Sequence, residues 1–83
     1  MNVLLSRAAQ RELAELPVVV RTRVYGLLER LSRWPEVSGA KPLRGEFAGQ
    51  YRLRTGDYRL RFRIDGDQII VEQVGHRDGF YEE

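Results

Sequence analysis

The sequence predicts a small α+β domain, two helices packed on one face of a mainly antiparallel sheet, in the order β-α-α-β-β-β. Three observations carry this. Apolar residues recur with helical spacing between Ser6 and Arg33. From Tyr51 onward the period switches to two, with Tyr51 and Leu53, then Tyr58, Leu60, Phe62 and Ile64, alternating with arginines. Thr55-Gly56-Asp57 and Asp65-Gly66 interrupt that alternation where hairpin turns belong.

Asn2 to Leu5 is short and apolar and reads as an opening strand. Ser6 is placed to cap a helix carrying Ala9, Leu13 and Leu16 at i, i+4 and i+7. Pro17 breaks this pattern and suits the first turn of a second helix. That helix runs to about Arg33, with Val20, Val24, Leu27, Leu28 and Leu31 in one stripe, and Trp34-Pro35 ends it. Residues Glu36 to Gln50 are rich in Gly, Pro and Ser and read as a connecting loop. Gln68 to Val74 forms the last strand of a three-stranded meander, and Gly75 to Tyr81 trails from it.

Composition narrows the function classes. Eighty-three residues suffice for one domain, expected to span 1–83, and a chain of this size buries roughly 60–65% of its unfolded surface. With no cysteine and one histidine, neither disulfides nor a Cys/His metal cluster is expected to staple it. No apolar run approaches the roughly 20 residues of a membrane span, and no signal-peptide pattern opens the chain. The expectation is a soluble, cytoplasmic domain without a metal or cofactor. P-loop, dinucleotide and HExxH signatures are absent.

The net charge of +2 understates the local one. Of fourteen basic residues only Lys41 is lysine, and Arg52, Arg54, Arg59, Arg61 and Arg63 crowd one segment with Asp57 as its only acid. Residues two apart share a strand face, so with the helices on the apolar side the arginine rows fall together on the other. Such a face is a platform for phosphate; it is equally what a solvated strand face looks like. Five like charges on adjacent strands repel, which favours the functional reading. Lys41 and Arg44 are placed to flank this platform, and Arg77 adds a further cation. His76, as the one histidine, is the residue type suited to proton transfer near neutral pH, and Tyr81 is a second candidate for acid–base work.

Lys41-Pro42-Leu43-Arg44-Gly45, Tyr51-Arg52-Leu53-Arg54, Gly56-Asp57-Tyr58-Arg59-Leu60, Val74-Gly75-His76-Arg77 and Tyr81 together resemble the RelE/ParE toxin superfamily of type II toxin–antitoxin modules. The resemblance spans essentially the whole chain and implies the fold described above. It implies a ribosome-dependent mRNA endoribonuclease in which the ribose 2′-OH attacks the adjacent phosphate in the A site. Carried over, Arg52 and Arg54 orient the scissile phosphate, Arg59 and Arg77 stabilise charge in the transition state, and Tyr81 stacks on the base or acts as general base. Lys41, Arg44, Arg61, Arg63 and His76 would line the RNA path. Relatives often carry lysine at positions 52 and 54; arginine keeps the charge but is a poor proton shuttle. The implied partners are a cognate antitoxin, the ribosome and mRNA, with operator DNA bound only as the toxin–antitoxin complex. A ParE-like inhibitor of DNA gyrase without nuclease activity is the alternative, since one fold serves both.

Overall fold

The computed structural model describes residues 1–80, and it realises the expected α+β class. β1 (Asn2–Leu5) leads into α1 (Arg7–Ala14) and α2 (Val18–Leu31), followed by β2 (Lys41–Pro42), β3 (Gln50–Thr55), β4 (Tyr58–Asp65) and β5 (Gln68–His76). The strands form one sheet in the order β1-β5-β4-β3-β2.

The local signals act as their chemistry requires. Ser6 caps α1, its hydroxyl accepting the Ala9 N–H at 3.1 Å. Pro17 stands at the N-cap of α2, and that helix ends at Leu31, two residues short of the expected Arg33. Both hairpins have two-residue loops. Thr55 pairs with Tyr58 and Asp65 with Gln68, so the loop glycines are Gly56 (φ 58°) and Gly66 (φ 62°), each followed by an aspartate at negative φ. A positive φ at the first loop position only is the mark of a type II′ turn, which glycine enters without steric cost.

Two departures from the sequence reading concern pairing. Lys41 and Pro42, expected within a loop, form a short edge strand against Arg52 and Tyr51. The last strand runs on to His76 instead of stopping at Val74. In addition β1 joins β5 in parallel register, Asn2 opposite Gln68 through Leu5 opposite Val71. Beyond Leu5 the edge of β5 is taken over by α1: the Ser6 hydroxyl donates to the Glu72 carbonyl and the Val74 N–H donates to Glu12 Oε1 at 2.8 Å. Exposed strand-edge groups are thereby paired without a longer β1.

Both helices lie on one face of the sheet. Ala9 and Leu13 of α1 and Val24, Leu27 and Leu31 of α2 meet Leu53, Leu60, Phe62, Ile69, Val71 and Val74 in a single core. Phe62 sits at its centre with no exposed surface, stacked on Tyr51 (5.5 Å between centroids) and edge-on to Trp34 (5.5 Å). Removing that ring opens a cavity its neighbours cannot fill. Phe62→Ala is therefore expected to cost about 3–5 kcal/mol, which at about 4–8 °C per kcal/mol lowers the melting midpoint by more than 10 °C in a thermal circular-dichroism scan.

Candidate functional site

The face of the sheet away from the helices is set by alternation from the buried residues. Leu53, Leu60 and Phe62 point into the core, so Arg52, Arg54, Arg59, Arg61 and Arg63 point outward. Register then aligns them: Arg54 lies directly opposite Arg59, and Arg52 opposite Arg61. On its other side Arg52 faces Lys41 of β2. One transverse row thus reads Lys41, Arg52, Arg61, Gln73, and the next reads Arg54, Arg59, Gly75.

These cations are not equivalent. Arg61 Nη1 donates to Gln50 Oε1 at 2.6 Å and its Nε to Gln73 Oε1 at 3.2 Å, while its guanidinium carbon lies 4.1 Å from the centre of the Phe47 ring. Burial lowers the Arg61 pKa from its usual value, against the opposing pull of Glu72, Glu12 and Glu46. Arg63 Nε donates to Glu72 Oε2 at 2.9 Å, and Asp65 stands 3.6 Å from its Nη1; the hydrogen bond to Glu72 is the main cause of its raised pKa. Arginine does not give up its proton in proteins, so both remain charged and neither moves a proton. The expectation that Arg61 and Arg63 line an RNA path meets two side chains already held by protein acceptors.

A β-bulge supplies two of those acceptors, Glu72 and Gln73. Arg61 pairs with Gln73 but Phe62 pairs with Val71, which leaves Glu72 as the extra residue of β5. The local loss of alternation lets consecutive residues Glu72 and Gln73 both reach the arginine face, one to each guanidinium. Sequence reasoning did not single out Glu72, Gln73, Gln50 or Phe47. A bulge has no signature in a single strand, because it is a mismatch between two.

At the β2 end, Lys41, Pro42, Leu43, Arg44 and Arg52 line an open pocket of about 380 Å³. Three of its five lining residues are cationic, so an anion is the ligand its charge suits. Arg44 precedes a one-turn 3₁₀ helix, Gly45–Phe47, whose glycine sits at φ 64°.

At the opposite end, Arg77 follows directly on the last strand. It opens a one-turn 3₁₀ helix, Arg77–Gly79. Its N–H donates to the Asp57 carbonyl at 2.8 Å, and its guanidinium lies between Asp57 (3.9 Å) and Asp78 (3.6 Å). The turn thus fastens Arg77 to the β3–β4 hairpin loop, which Arg54 and Arg59 follow after one intervening cross-strand pair. His76 falls on the other face: it pairs with Tyr58, the two rings meeting edge-on at 5.1 Å, and its Nδ1 accepts the Asp78 N–H. The alternation that puts Gly75 beside Arg59 turns His76 away from the arginine rows. Phe80 is buried, its ring 3.8 Å from where a Cβ on Gly75 would stand, so the chain after β5 folds back over the arginine face. Tyr81 lies outside the described residues.

The site is therefore a cationic surface partly offset by Glu72. Glu72→Gln keeps a carbonyl acceptor for Arg63 and removes one negative charge. With a short single-stranded RNA as a polyanionic probe, it is expected to tighten association at low salt and to steepen the slope of log K against log salt by up to about 0.7. Fluorescence anisotropy across a salt series reads both.

Comparisons with known proteins agree with this architecture. The family model described as the ParE toxin of type II toxin–antitoxin systems matches residues 3–79. Toxin RelG of Mycobacterium tuberculosis is 38% identical over 83 residues, covering 96% of this chain and 94% of its own. The toxin–antitoxin complex RelBE2 from the same organism contains a chain superposing with TM-score 0.80 at 37% identity, over 92% of this chain and 90% of that one. The isolated RelE toxin of E. coli shares the fold at TM-score 0.76 and 23% identity, over 90% of this chain and 82% of its own. No helix among the described residues is long and apolar enough to cross a membrane. With the match running from β1 into the turn after β5, and the fold shared along that length, the chain belongs to the RelE/ParE superfamily of type II toxins.

Proposed function

We propose that this toxin is an endoribonuclease that cleaves mRNA in the ribosomal A site. The observation that carries the reading is Arg54 directly opposite Arg59 on the face away from the helices, with Arg52 and Lys41 in the neighbouring row. Like charges opposed across a sheet are destabilising by themselves, and a phosphate between them reverses the sign of that term.

The chemistry follows from what arginine can do. Fixed guanidinium groups bind and orient the phosphodiester and stabilise the negative charge that grows on it as the ribose 2′-oxygen attacks phosphorus and the 5′-oxygen departs. The products are a 2′,3′-cyclic phosphate and a 5′-hydroxyl. Arginine does not act as the general base at working pH; that role, carried over from the family resemblance, falls to Tyr81. Arg77, held beside Asp57, would contribute a further cation at the hairpin end of the site. The partner that silences the toxin is a cognate antitoxin, as the RelBE2 complex of the Mycobacterium relative suggests. A segment carrying acids opposite Lys41, Arg52 and Arg54 would complement this face.

A second reading draws on the name of the matching family model, ParE toxin of the parDE system. Under it the protein inhibits DNA gyrase, and the arginine face is a protein-binding surface. Primer extension on mRNA in a purified translation system separates the two. The nuclease reading expects cleavage within A-site codons only when ribosomes are present, and a loss of at least about a hundredfold in Arg59→Ala, the scale of removing one transition-state donor. Intact mRNA together with inhibited gyrase supercoiling would establish the second reading.

A further inference from the structure

The Gly45–Phe47 turn carries Arg44 at its entrance, yet contributes no fully buried residue of its own. Its internal bonds are local: Phe47 N–H to the Arg44 carbonyl at 3.2 Å and Ala48 N–H to the Gly45 carbonyl at 3.1 Å. β2, just before it, pairs through two residues, with one further bond from the Leu43 N–H to the Gln50 carbonyl at 2.9 Å. Flanked by Gly45 at φ 64° and Gly49 at φ 91°, such a segment has much backbone freedom to lose. What ties it across to β4 is the half-buried Phe47 ring under the Arg61 guanidinium.

Arg61 is suited to that task and poorly suited to contacting a substrate. Its planar fork is spanned on two sides, by Gln50 at the start of β3 and by Gln73 in the bulge of β5, so its plane is fixed relative to three strands. The face of that plane is covered by Phe47, an arrangement that gains strength as water is excluded. Glu46, in the same turn, adds a favourable charge interaction.

We infer that Arg61 is a positioning residue: clasped by Gln50 and Gln73 and seated on Phe47, it pins the Gly45–Phe47 turn to the sheet and so holds Arg44 in the pocket with Lys41 and Arg52. The pocket takes a phosphate of single-stranded RNA; for that ligand the inference rests on the nuclease reading above, whereas the pinning stands on the geometry alone. Arg61 thus raises affinity through Arg44 without touching the RNA.

The test is a double-substitution cycle on the intact chain. The probe is a fluorescein-labelled RNA hexamer with 2′-O-methyl sugars, which binds without being cleaved. Arg61→Met and Arg44→Ala should each weaken binding about tenfold, the scale of one charge-assisted contact. The double variant should be weaker than Arg44→Ala alone by no more than about twofold, the through-space effect of one lost charge, since the strut has nothing left to position. A product near a hundredfold, the additive result, would make Arg61 an independent contact and overturn the inference. Phe47→Leu keeps every charge and most of the apolar bulk, and serves if Arg61→Met does not fold. Its loss of affinity should likewise vanish in the Arg44→Ala background. Arg61→Lys restores a cation over Phe47 but cannot bridge both glutamines, so full recovery of affinity would also count against a strut.

A second readout needs no RNA. Backbone ¹⁵N order parameters at Phe47 and Ala48 should fall in Arg61→Met and not in Arg44→Ala. Unchanged order in Arg61→Met overturns the pinning whatever the RNA data show. If the unsubstituted toxin fails to bind the hexamer at low salt, the RNA reading of the pocket falls, and the order parameters alone decide the pinning.

Discussion

Burial of Phe62 among Trp34, Tyr51 and the two helices decides which face of the sheet is dry, and every arginine of β3 and β4 takes its direction from that. Strand side chains alternate, so a strand with one face committed to a core has no choice about the other. A shift of one residue in either strand would drive guanidinium groups into the core at a cost no local contact offsets. The cationic platform is in this sense a product of hydrophobic packing. The electrostatic repulsion among its members is tolerated because the apolar term is larger.

Within that platform the arginines divide by what lies across from them on β5. The bulge at Glu72 delivers two acceptors to adjacent positions, and Arg61 and Arg63 are consumed by Gln73 and Glu72. Farther along, Gly75 offers no side chain opposite Arg59, and Phe80 packs into the space instead. A single extra residue in one strand thus gives Arg61 and Arg63 side-chain acceptors on β5, whereas the position across from Arg59 is a glycine. Arginine richness alone overstates the ligand-binding surface, since part of it is structural.

The antiparallel pairing of β3 with β4 and of β4 with β5 was legible because hairpins are local: a glycine turn and an alternating run specify register within a few residues. The helices were legible for the same reason, through Ser6, Pro17 and the Val24–Leu27–Leu31 stripe. The short pairing of Lys41 and Pro42 was not, because two exposed residues carry no periodicity and are strand only by virtue of lying beside Arg52 and Tyr51. His76 was placed on the RNA path by the resemblance; one step of alternation and the end of the strand send it and Arg77 in different directions.

What the sequence by itself determined is the α+β class, the two turns, the dry and wet faces of β3 and β4, and hence the clustering of Arg52, Arg54 and Arg59. Each depends on periodicity or on the conformational limits of single residues, which are written along the chain. The tertiary structure alone decided that β1 runs parallel to β5, that Glu72 bulges, that Arg61 is spoken for by Gln50, Gln73 and Phe47, and that Arg77 docks on Asp57. Each joins residues distant in sequence or relates one strand to another. Such pairings are chosen by the free energy of the whole assembly, in which every partner competes with all the others.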